Sequence, residues 1–398
     1  MSGPDGIDLD RVRADTPATA ERVLLNHAGA SPSPTPVLDV VVAHLADEAR
    51  LGGYEAAAAR ADDLARARAS IATLVGGRPD EVAFTTSATD AWESAFWSFP
   101  WRPGDVVLTC RSEYVTNVLN LLVARDRMGV EIRIVDDDED GRIDVAALER
   151  ELEDPRVRLV AVSHVPTHGG LVNPAGEVGA RCRAAGVPFL LDACQSTGQL
   201  PIDVAAIGCD VLTATGRKYL RAPRGTGFLY VRTEVAQQLT PLGSAGAEWT
   251  GATSYRFPDG AARFERFEHS VAGLLGLGAA VDYALAIGLE PIARRVGALA
   301  DHLRAGLDDI AGVTVRDRGV RRCGIVTFTV EGVAPDAVRT ALAEEAVQVW
   351  TSNAAFARID LDSRGIEEMV RASVHYLNTT EELDRTVELV GRVAEEAR

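Results

Sequence analysis

The sequence predicts an α/β fold, in which a large domain with a mostly parallel seven-stranded sheet is followed by a smaller α+β domain. From residue 81 onward, short apolar runs alternate with segments of helical spacing. Several of these runs, such as LVAVSHV and PFLLD, are apolar at consecutive positions. That pattern is typical of parallel strands that are buried on both faces of a sheet. After about residue 270 the pattern changes to long helices mixed with strands, which indicates a second domain.

The large sheet is predicted from seven strand-like runs in the first two thirds of the chain. They are EVAFTT (81–86), DVVLTC (105–110), VEIRIVD (130–136), VRLVAVSHV (157–165), VPFLLDAC (187–194), DVLTA (210–214) and GTGFLYV (225–231). The segments between them, for example AALERELED and VGARCRAAG, have helical spacing and end near Gly or Pro, as crossover helices do. Residues 242–262 are too long for a plain connection, so we expect a surface excursion near a site or a subunit contact.

The C-terminal third predicts two helices, four strands and a final charged helix from Thr380. The first helix is the apolar run VAGLLGLGAAVDYALAIG, and the strands are VTVRD, GIVTFTV, VQVWTS and VRASVHY. A chain of 398 residues is longer than one hydrophobic core usually organises. We therefore predict an N-terminal arm (1–21), a large domain (22–270) and a small C-terminal domain (271–398).

Composition and charge narrow the possible partners. The chain is 46% hydrophobic and 25% charged, with no apolar stretch of about eighteen residues, so no membrane partner is expected. The N-terminus lacks an apolar signal segment, which predicts a cytoplasmic protein. A net charge of −17 disfavours nucleic acid and favours a small-molecule substrate. The five cysteines are odd in number, widely spaced and without a C-x-x-C, so they are predicted to be free thiols.

Lysine is almost absent from the chain. Of the 41 lysines and arginines, one is a lysine, Lys218, and 40 are arginines. Arginine can replace lysine wherever a side chain need only be positive, but it cannot lose its proton to become a nucleophilic amine. Lys218 is therefore a candidate for amine chemistry, although an arginine-biased composition could also leave one lysine by chance.

Polar residues follow several of the predicted strands, at the sheet edge where open α/β sheets bind their ligands. Ser87-Ala88-Thr89 precedes a helix after EVAFTT, an arrangement suited to a phosphate. Asp192 ends the buried run VPFLLD, and no neighbour in sequence offers it a positive charge. Lys218 follows DVLTA. An amine, a buried carboxylate and a phosphate cradle are the groups that pyridoxal 5'-phosphate requires.

No metal site is predicted. His164 and His168 have the spacing of a metal pair, but they lie on a strand end and a loop with no third ligand nearby. A core or active-site role is the favoured interpretation of both histidines.

Four blocks of sequence resemble the class V aminotransferase-fold enzymes. The blocks are SHVPTHGGLVNP (163–174), LLDACQSTGQLPIDV (190–204), TGRKYLRAPRGTGFLYV (215–231) and VRASVHYLNTTEELD (370–384). That group includes cysteine desulfurases, isopenicillin N epimerase and the carbon-sulfur lyase of ergothioneine biosynthesis, and the similarity extends over roughly residues 22–390. It implies the fold type I of pyridoxal phosphate-dependent transferases and a homodimer whose site the partner subunit completes.

The resemblance also implies roles for individual residues. The catalytic residues are Lys218, which forms the Schiff base, Asp192, which pairs with the pyridine nitrogen, and Tyr114, which stacks over the ring. The further cofactor-binding residues are Gln195 near the ring hydroxyl, Thr167 near a cofactor oxygen, and Ala88, Thr89, Thr215 and Arg217 at the phosphate. The substrate-binding residues are Arg371 at the α-carboxylate, where a bidentate guanidinium suits the task, and the N-terminal pair His27 and Ala28.

The reaction class depends on departures from the family pattern. Desulfurases of this group take up sulfur on a loop cysteine and stack a histidine over the ring, whereas this chain has the loop SNAAFARID and Tyr114. Together with the resemblance of the GGY segment (52–54) to the ergothioneine lyase branch, this predicts a β-lyase acting on a cysteine S-conjugate or sulfoxide. A class V aminotransferase or an amino-acid epimerase is the alternative. A cysteine desulfurase is disfavoured, and a non-catalytic binding protein on this fold is disfavoured further.

Overall fold

A computed structural model describes residues 6–398 of the chain. Its strands are, in order, β1 (Val23–Leu24), β2 (Val82–Thr85), β3 (Val106–Thr109), β4 (Glu131–Ile134), β5 (Val157–Ser163), β6 (Phe189–Asp192), β7 (Val211–Thr215), β8 (Gly227–Val231), β9 (Glu248–Gly251), β10 (Ser254–Arg256), β11 (Val313–Val315), β12 (Ile325–Val330), β13 (Val347–Gln348), β14 (Trp350–Asn353) and β15 (Glu368–Ser373). Residues 1–5, part of the predicted arm, lie outside the described residues.

The α-helices lie between these strands and at both ends of the described chain. They are α1 (Leu9–Ala14), α2 (Thr35–Leu51), α3 (Gly53–Ala59), α4 (Ala61–Val75), α5 (Ala88–Phe96), α6 (Val115–Met128), α7 (Val145–Glu151), α8 (Ala175–Ala185), α9 (Val204–Ile207), α10 (Thr233–Ala236), α11 (Val271–Ile287), α12 (Leu289–Asp308), α13 (Pro335–Glu344), α14 (Arg358–Leu361) and α15 (Thr380–Glu396). Short 3₁₀ turns occupy Pro17–Ala20, Pro79–Glu81, Gly260–Phe264, Ala354–Phe356 and Asp362–Arg364.

The large sheet has the order β2-β8-β7-β6-β5-β3-β4. Strand β8 runs antiparallel to both of its neighbours, and the other pairs in the sheet are parallel. All seven predicted strands form, and the mostly parallel α/β architecture of the prediction is confirmed. The carboxyl ends of β2, β3, β6 and β7 therefore meet at one edge of the sheet.

Both faces of this sheet are buried. In β3, Val106 and Leu108 belong to one apolar cluster while Val107 belongs to another. Side chains that alternate along a strand point to opposite faces, so the two clusters lie on opposite sides of the sheet. This burial explains why the strands are apolar at consecutive positions rather than at every second one.

The C-terminal region forms a four-stranded antiparallel sheet in the order β11-β12-β15-β14. Helix α15 begins with a capping box, in which Thr379 accepts from the amide of Glu382 and the Glu382 carboxylate accepts from the amide of Thr379. The predicted run VQVWTS is two strands, because β13 pairs with β1 while β14 pairs with β15. Val23 and Leu25 precede the large sheet in sequence, yet they pack in the apolar core of the C-terminal region.

The segment 242–262 contains the two-stranded hairpin β9-β10, whose residues are all exposed.

Within residues 6–398 no single helix is long and apolar enough to cross a membrane; α11 and α12 reach that length and composition only as a pair bent by 79°. The five cysteines are free, as predicted.

Candidate active site

A cleft at the carboxyl edge of the large sheet brings together the central residues of the predicted cofactor site. It is lined by Ser87, Ala88, Thr89, Tyr114, Asn117, Asp192, Cys194, Thr215, Arg217 and Lys218. These residues follow, or end, strands β2, β3, β6 and β7. Because the strands are neighbours or near neighbours in one sheet, residues more than 100 positions apart in sequence share one site.

Lys218 lies at the bottom of this cleft, directly after β7. Its side chain is 5% exposed, and burial lowers the pKa of its amine below the usual value. The amine interacts with the thiol of Cys194 and lies 5.9 Å from the centre of the Tyr114 ring. A desolvated amine gives up its proton more readily, which suits it to attack an aldehyde carbon.

Arg221 holds the segment that follows Lys218. It has a left-handed backbone conformation (φ 62°), and its amide donates to the carbonyl of Lys218 at 3.0 Å. Its buried guanidinium donates to the Pro32 carbonyl, the Tyr376 hydroxyl and the Thr16 hydroxyl. Such contacts compensate for an unfavourable backbone conformation, so Arg221 fixes the turn that presents Lys218.

Asp192 ends β6 as a buried carboxylate, as the sequence predicted. Its Oδ2 accepts from the amide of Asn117 at 2.8 Å, and its Oδ1 accepts from the backbone amide of Cys194 at 2.9 Å. Burial raises the pKa of Asp192, and the nearby positive charge of Lys218 opposes this shift. Neither hydrogen-bond donor is a cation, so Asp192 is suited to pair with a protonated ring nitrogen.

The start of α5 forms the phosphate end of the cleft. Ser87 caps this helix by accepting from the backbone amide of Asp90 at 3.1 Å. Ala88 and Thr89 occupy the first turn, where backbone amides lack helical partners and the helix dipole favours an anion. Arg217 lines the same end of the cleft and donates to the carbonyl of Gly29.

Strand β8 approaches this end so closely that it requires a glycine. A Cβ on Gly227 would lie 2.7 Å from the carbonyl oxygen of Ala214 and 2.8 Å from the carbonyl carbon of Ser87. The Thr215 hydroxyl donates to the carbonyl of Thr226 at 3.2 Å. Gly227 thus permits the tight approach of β2, β7 and β8 around the anion position.

Gln195 and Thr167, two predicted cofactor-binding residues, contact each other and are not among the residues that line this cleft. The Gln195 amide donates to the hydroxyl of Thr167 at 2.9 Å and to the carbonyl of Ala28 at 3.1 Å. The Gln195 Oε1 atom is buried and has no hydrogen-bond partner among the described residues. It is an acceptor suited to a hydroxyl group of a bound ligand.

Arg371 lies on β15, at the boundary between the two regions of the chain. Its guanidinium donates to the carbonyl and hydroxyl of Thr167 at 2.9 and 3.1 Å and to Oδ1 of Asn26 at 3.2 Å. The Nε atom is buried without a partner among the described residues. Burial lowers the pKa of Arg371 to about 10, so it stays protonated near neutral pH. A buried, charged guanidinium with a free N–H is suited to binding a carboxylate.

His27 was predicted to contact the substrate, and the structure shows the contacts that its ring makes within the chain. Its ring is buried, with Nδ1 2.8 Å from the hydroxyl of Ser31 and Nε2 3.0 Å from the carbonyl of Leu24. Burial lowers its pKa to about 3, so the ring is neutral. Both nitrogens are engaged, and Asn26, its neighbour, contacts Arg371 instead.

Ala28, the other residue of that predicted pair, is buried and is fixed through its backbone. Its amide donates to the hydroxyl of Ser373 at 2.9 Å, and its carbonyl accepts from Gln195. The N-terminal segment therefore contacts Gln195 through its main chain.

The two histidines of the 163–174 block take part in side-chain contacts. Nδ1 of His164 lies 3.0 Å from the hydroxyl of Ser196, and Nε2 of His168 lies 2.9 Å from a carboxylate oxygen of Asp360. In the part of the chain that the structure describes, no group of three or more His, Cys, Asp or Glu residues is arranged to hold a metal ion.

An outer cavity of about 420 Å³ adjoins the cleft and shares Tyr114 with it. It is lined by Tyr114, Thr167, Asp336, Arg339, Trp350, Thr351, Ser352, Asn353, Phe356, Glu368 and Arg371. Most of these residues come from α13, β14 and β15 of the C-terminal region. Sequence reasoning did not find this cavity.

Sequence reasoning also missed Asn117 and Glu113, which contact each other and lie beside Asp192. Asn117 is three residues after Tyr114, in the first turn of α6, so helical spacing could have placed it on the same edge. Glu113 precedes Tyr114 and is buried.

The residues present fit pyridoxal 5'-phosphate. The cleft offers a desolvated amine at Lys218, a buried carboxylate without a cationic hydrogen-bond partner at Asp192, and a helix N-terminus beside Arg217. These groups match, respectively, the aldehyde, the ring nitrogen and the phosphate of that molecule.

Comparison with known proteins identifies the family. The profile of the aminotransferase class-V family matches residues 23–386. The chain belongs to this family. Pyridoxal 5'-phosphate is its cofactor, which confirms the expectation from the sequence.

A relative with a similar sequence is named a probable cysteine desulfurase, and the similar solved structures include a cysteine desulfurase and C-DES, which is named a cystine C-S lyase. A probable cysteine desulfurase of Methanothermobacter thermautotrophicus is 32% identical over 97% of this chain and 97% of its own length. The apo structure of a cysteine desulfurase from Thermococcus onnurineus superposes with a TM-score of 0.89, at 25% identity over 97% and 98% of the two chains. A structure titled as a C-DES mutant with glycine linked to the cofactor has a TM-score of 0.84 at 24% identity.

These findings correct the predicted reaction. The prediction placed a β-lyase for cysteine S-conjugates first and disfavoured a desulfurase, whereas the full-length relative and the superposed structure are both named cysteine desulfurases. These findings show the class V family and do not show the predicted likeness to the ergothioneine lyase and epimerase branch. Desulfuration was disfavoured because the loop SNAAFARID has no cysteine to take up sulfur and because Tyr114 stands in place of the stacking histidine. The sulfur acceptor need not belong to this chain.

Proposed function

We propose that the chain is a pyridoxal phosphate-dependent enzyme that removes the sulfur atom from L-cysteine and yields alanine. The observation that carries this proposal is the relationship to a probable cysteine desulfurase along 97% of both chains. The site supports it, because Lys218, Asp192 and Arg371 lie where an amino acid and the cofactor can meet.

The residues of the site divide the chemistry between them. The bound cofactor supplies an electron sink for the pair of electrons left on the α carbon. Lys218 moves the proton at that carbon, and Asp192 keeps the ring nitrogen charged. Arg371 binds the carboxylate through its free N–H and so orients the amino acid over the cleft.

Tyr114 is placed to exchange a proton with the sulfur. Burial raises the pKa of its hydroxyl, so it remains protonated and can act as a donor. Tyr114 lines both the cleft and the outer cavity, so it can contact groups held in either space.

The sulfur acceptor is proposed to be a small external thiol. The carbon–sulfur bond of cysteine breaks, the sulfur joins the thiol RSH as RSSH, and alanine keeps the electrons, so the reaction balances without a further oxidant. Cys110, Cys182, Cys209 and Cys323 are buried away from the outer cavity, and Cys194 lies beside Lys218. Among the described residues the cavity has no cysteine of its own, and it is large enough for a small molecule.

The test uses the holoenzyme with L-cysteine, with and without dithiothreitol as the acceptor, and measures alanine by chromatography. We expect alanine to accumulate quickly with dithiothreitol present and more slowly without it, because a second molecule of L-cysteine is then the only acceptor thiol. Intact-mass analysis should show no added sulfur atom on the chain. Pyruvate and ammonia in place of alanine would refute the proposal, and a stable persulfide on the protein would refute the external acceptor.

We also propose that the enzyme is a homodimer. Three large aromatic side chains within the segment 242–268 are exposed in the single chain, namely Trp249 (82%), Tyr255 (68%) and Phe267 (86%). Exposed aromatic residues grouped in this way are typical of interfaces. Sedimentation should give twice the chain mass, and Trp249→Ser should shift it toward one chain mass.

A further inference from the structure

A second buried acid lies behind Asp192. Glu113, in the loop between β3 and α6, is 2% exposed. It does not line the cleft and therefore does not contact the cofactor directly. None of the roles described above uses it.

Glu113 is held by hydrogen bonds at both carboxylate oxygens. Oε1 accepts from the backbone amide of Tyr114 at 2.7 Å and also contacts the Ser163 hydroxyl, while Oε2 accepts from the backbone amide of Ser163 at 3.0 Å. The Thr109 hydroxyl and the Cys110 thiol face Oε2 at 3.4 and 3.9 Å. A hydroxyl can donate or accept, so Ser163 can accommodate Glu113 with or without a proton.

Asn117 joins the two acids. Its side-chain nitrogen lies 2.9 Å from Oε1 of Glu113 and 2.8 Å from Oδ2 of Asp192. An amide group has two N–H donors, and here each carboxylate accepts one of them. The orientation of Asn117, and through it that of Asp192, therefore depends on Glu113 remaining an acceptor.

We propose that Glu113 is a positioning residue for the cofactor, which orients Asp192 through Asn117 and adds its own negative charge to the potential that holds a protonated ring nitrogen. Of the three residues in this network, Asn117 and Asp192 line the cleft and Glu113 lies behind them. On the cleft side the charge of Lys218 acts on Asp192, and Cys110, directly after β3, is a titratable neighbour of Glu113.

The titration of Glu113 agrees with this arrangement. Burial, followed by the charge of Asp192, raises the pKa of Glu113 to about 7. A positive ring nitrogen on the far side of Asp192 favours loss of that proton. Above about pH 7, Glu113 is already negative when the cofactor binds. Below that pH it is protonated, so it must lose its proton on binding or it does not attract the ring nitrogen.

The test compares the cofactor with its 1-deaza analogue, in which carbon replaces the ring nitrogen. We divide the dissociation constant of the analogue by that of pyridoxal phosphate. This ratio isolates the contribution of the nitrogen, because the aldehyde and phosphate contacts are the same in both ligands. We expect Glu113→Gln to reduce this ratio about tenfold, equivalent to about 1.4 kcal/mol, through weaker binding of pyridoxal phosphate. Binding of the analogue should stay nearly constant.

The difference in ratio between the two proteins should grow from about pH 6 to about pH 8, as Glu113 ionises in the unmodified chain. The ionisation of the free ligands is the same with either protein, so it cancels when the two ratios are compared at one pH. Asp126→Asn, a change at an exposed carboxylate on the helix α6 that follows Glu113, is the matched control and should leave the ratio unchanged.

Equal weakening of both ligands, or an unchanged ratio in folded Glu113→Gln, would overturn the proposal by showing that Glu113 is only structural. Far-UV circular dichroism of the apoprotein establishes folding. If Glu113→Gln does not fold, Asn117→Ala provides the test, since it removes the bridge while leaving Glu113 in place. That variant should also lower the ratio, and an unchanged value there contradicts the proposed coupling.

Discussion

The cofactor cleft and the outer cavity share Tyr114 but are built differently. Asp192 and Lys218 of the cleft are each 5% exposed and lie at the ends of strands of the large sheet. In the outer cavity, Trp350 and Phe356 are 48% and 54% exposed and come from the C-terminal region. Rigid, desolvated groups suit a resident cofactor, whereas accessible side chains suit a molecule that enters and leaves.

The contrast between the cleft and the cavity predicts that a change at Lys218 causes the largest loss of activity. Lys218→Arg keeps the positive charge but removes the nucleophilic amine, so alanine formation should fall by about 10² to 10⁴. Borohydride should attach the cofactor to the unmodified protein at the peptide containing Lys218 and leave the variant unlabelled. A labelled variant, or one with ordinary turnover, would show that another group performs this role.

Changes at Asp192 should chiefly affect cofactor binding. Asp192→Ala removes the buried counter-ion of the ring nitrogen, and loss of one partner of such a pair costs about 3 to 5 kcal/mol. Asp192→Asn should bind the cofactor better than the alanine variant, because it keeps a hydrogen-bonding group, but should remain slow. Titration followed by absorbance measures both affinities, and equal binding by the three proteins would contradict the electrostatic role.

Arg371 lies where the cleft and the cavity meet, and its replacement should separate substrate binding from cofactor binding. Arg371→Ala should raise KM for L-cysteine about tenfold or more, since a hydrogen bond to a charged group contributes about 1.5 to 3 kcal/mol. The dissociation constant of the cofactor should change little. Arg125→Ala, at an exposed arginine of α6, is the control. An unchanged KM would remove Arg371 from the carboxylate site.

The outer cavity should give the smallest effect. The guanidinium of Arg339 lies 5.2 Å from the Trp350 ring, and both line this cavity. Trp350→Ala should raise KM for dithiothreitol a few fold, in keeping with about 0.5 to 1.5 kcal/mol for an aromatic contact, while Trp350→Phe should not. KM for L-cysteine should stay constant, and an equal change in both constants would show that the cavity is not specific to the acceptor.

Much of the fold was predictable because burial leaves a direct pattern in the sequence. The consecutive apolar residues of LVAVSHV and PFLLD required a sheet covered on both faces, and β5 and β6 have that environment. The positions of Asp192 and Lys218 followed from strand ends in a parallel sheet. The division of VQVWTS into β13 and β14 was not predictable, since it depends on pairing with β1 some 320 residues earlier in the chain.

Other features of the site depended on contacts that leave no local signal. His27 has the residue type of a ligand-binding side chain, yet its ring is buried between Leu24 and Ser31. Asn26, beside it, reaches Arg371 across 345 positions of sequence. The outer cavity likewise depends on how α13, β14 and β15 lie opposite Tyr114.

By itself, the sequence determined the strand order along the chain, the chemical groups available and the amine at Lys218, because strand periodicity and residue type are local properties. Tertiary structure decided which of these groups meet. It placed Glu113 behind Asp192 and joined them through Asn117. The ionisation of each of these acids therefore depends on the other. Electrostatic coupling depends on distance and burial, and neither quantity exists until the chain has folded.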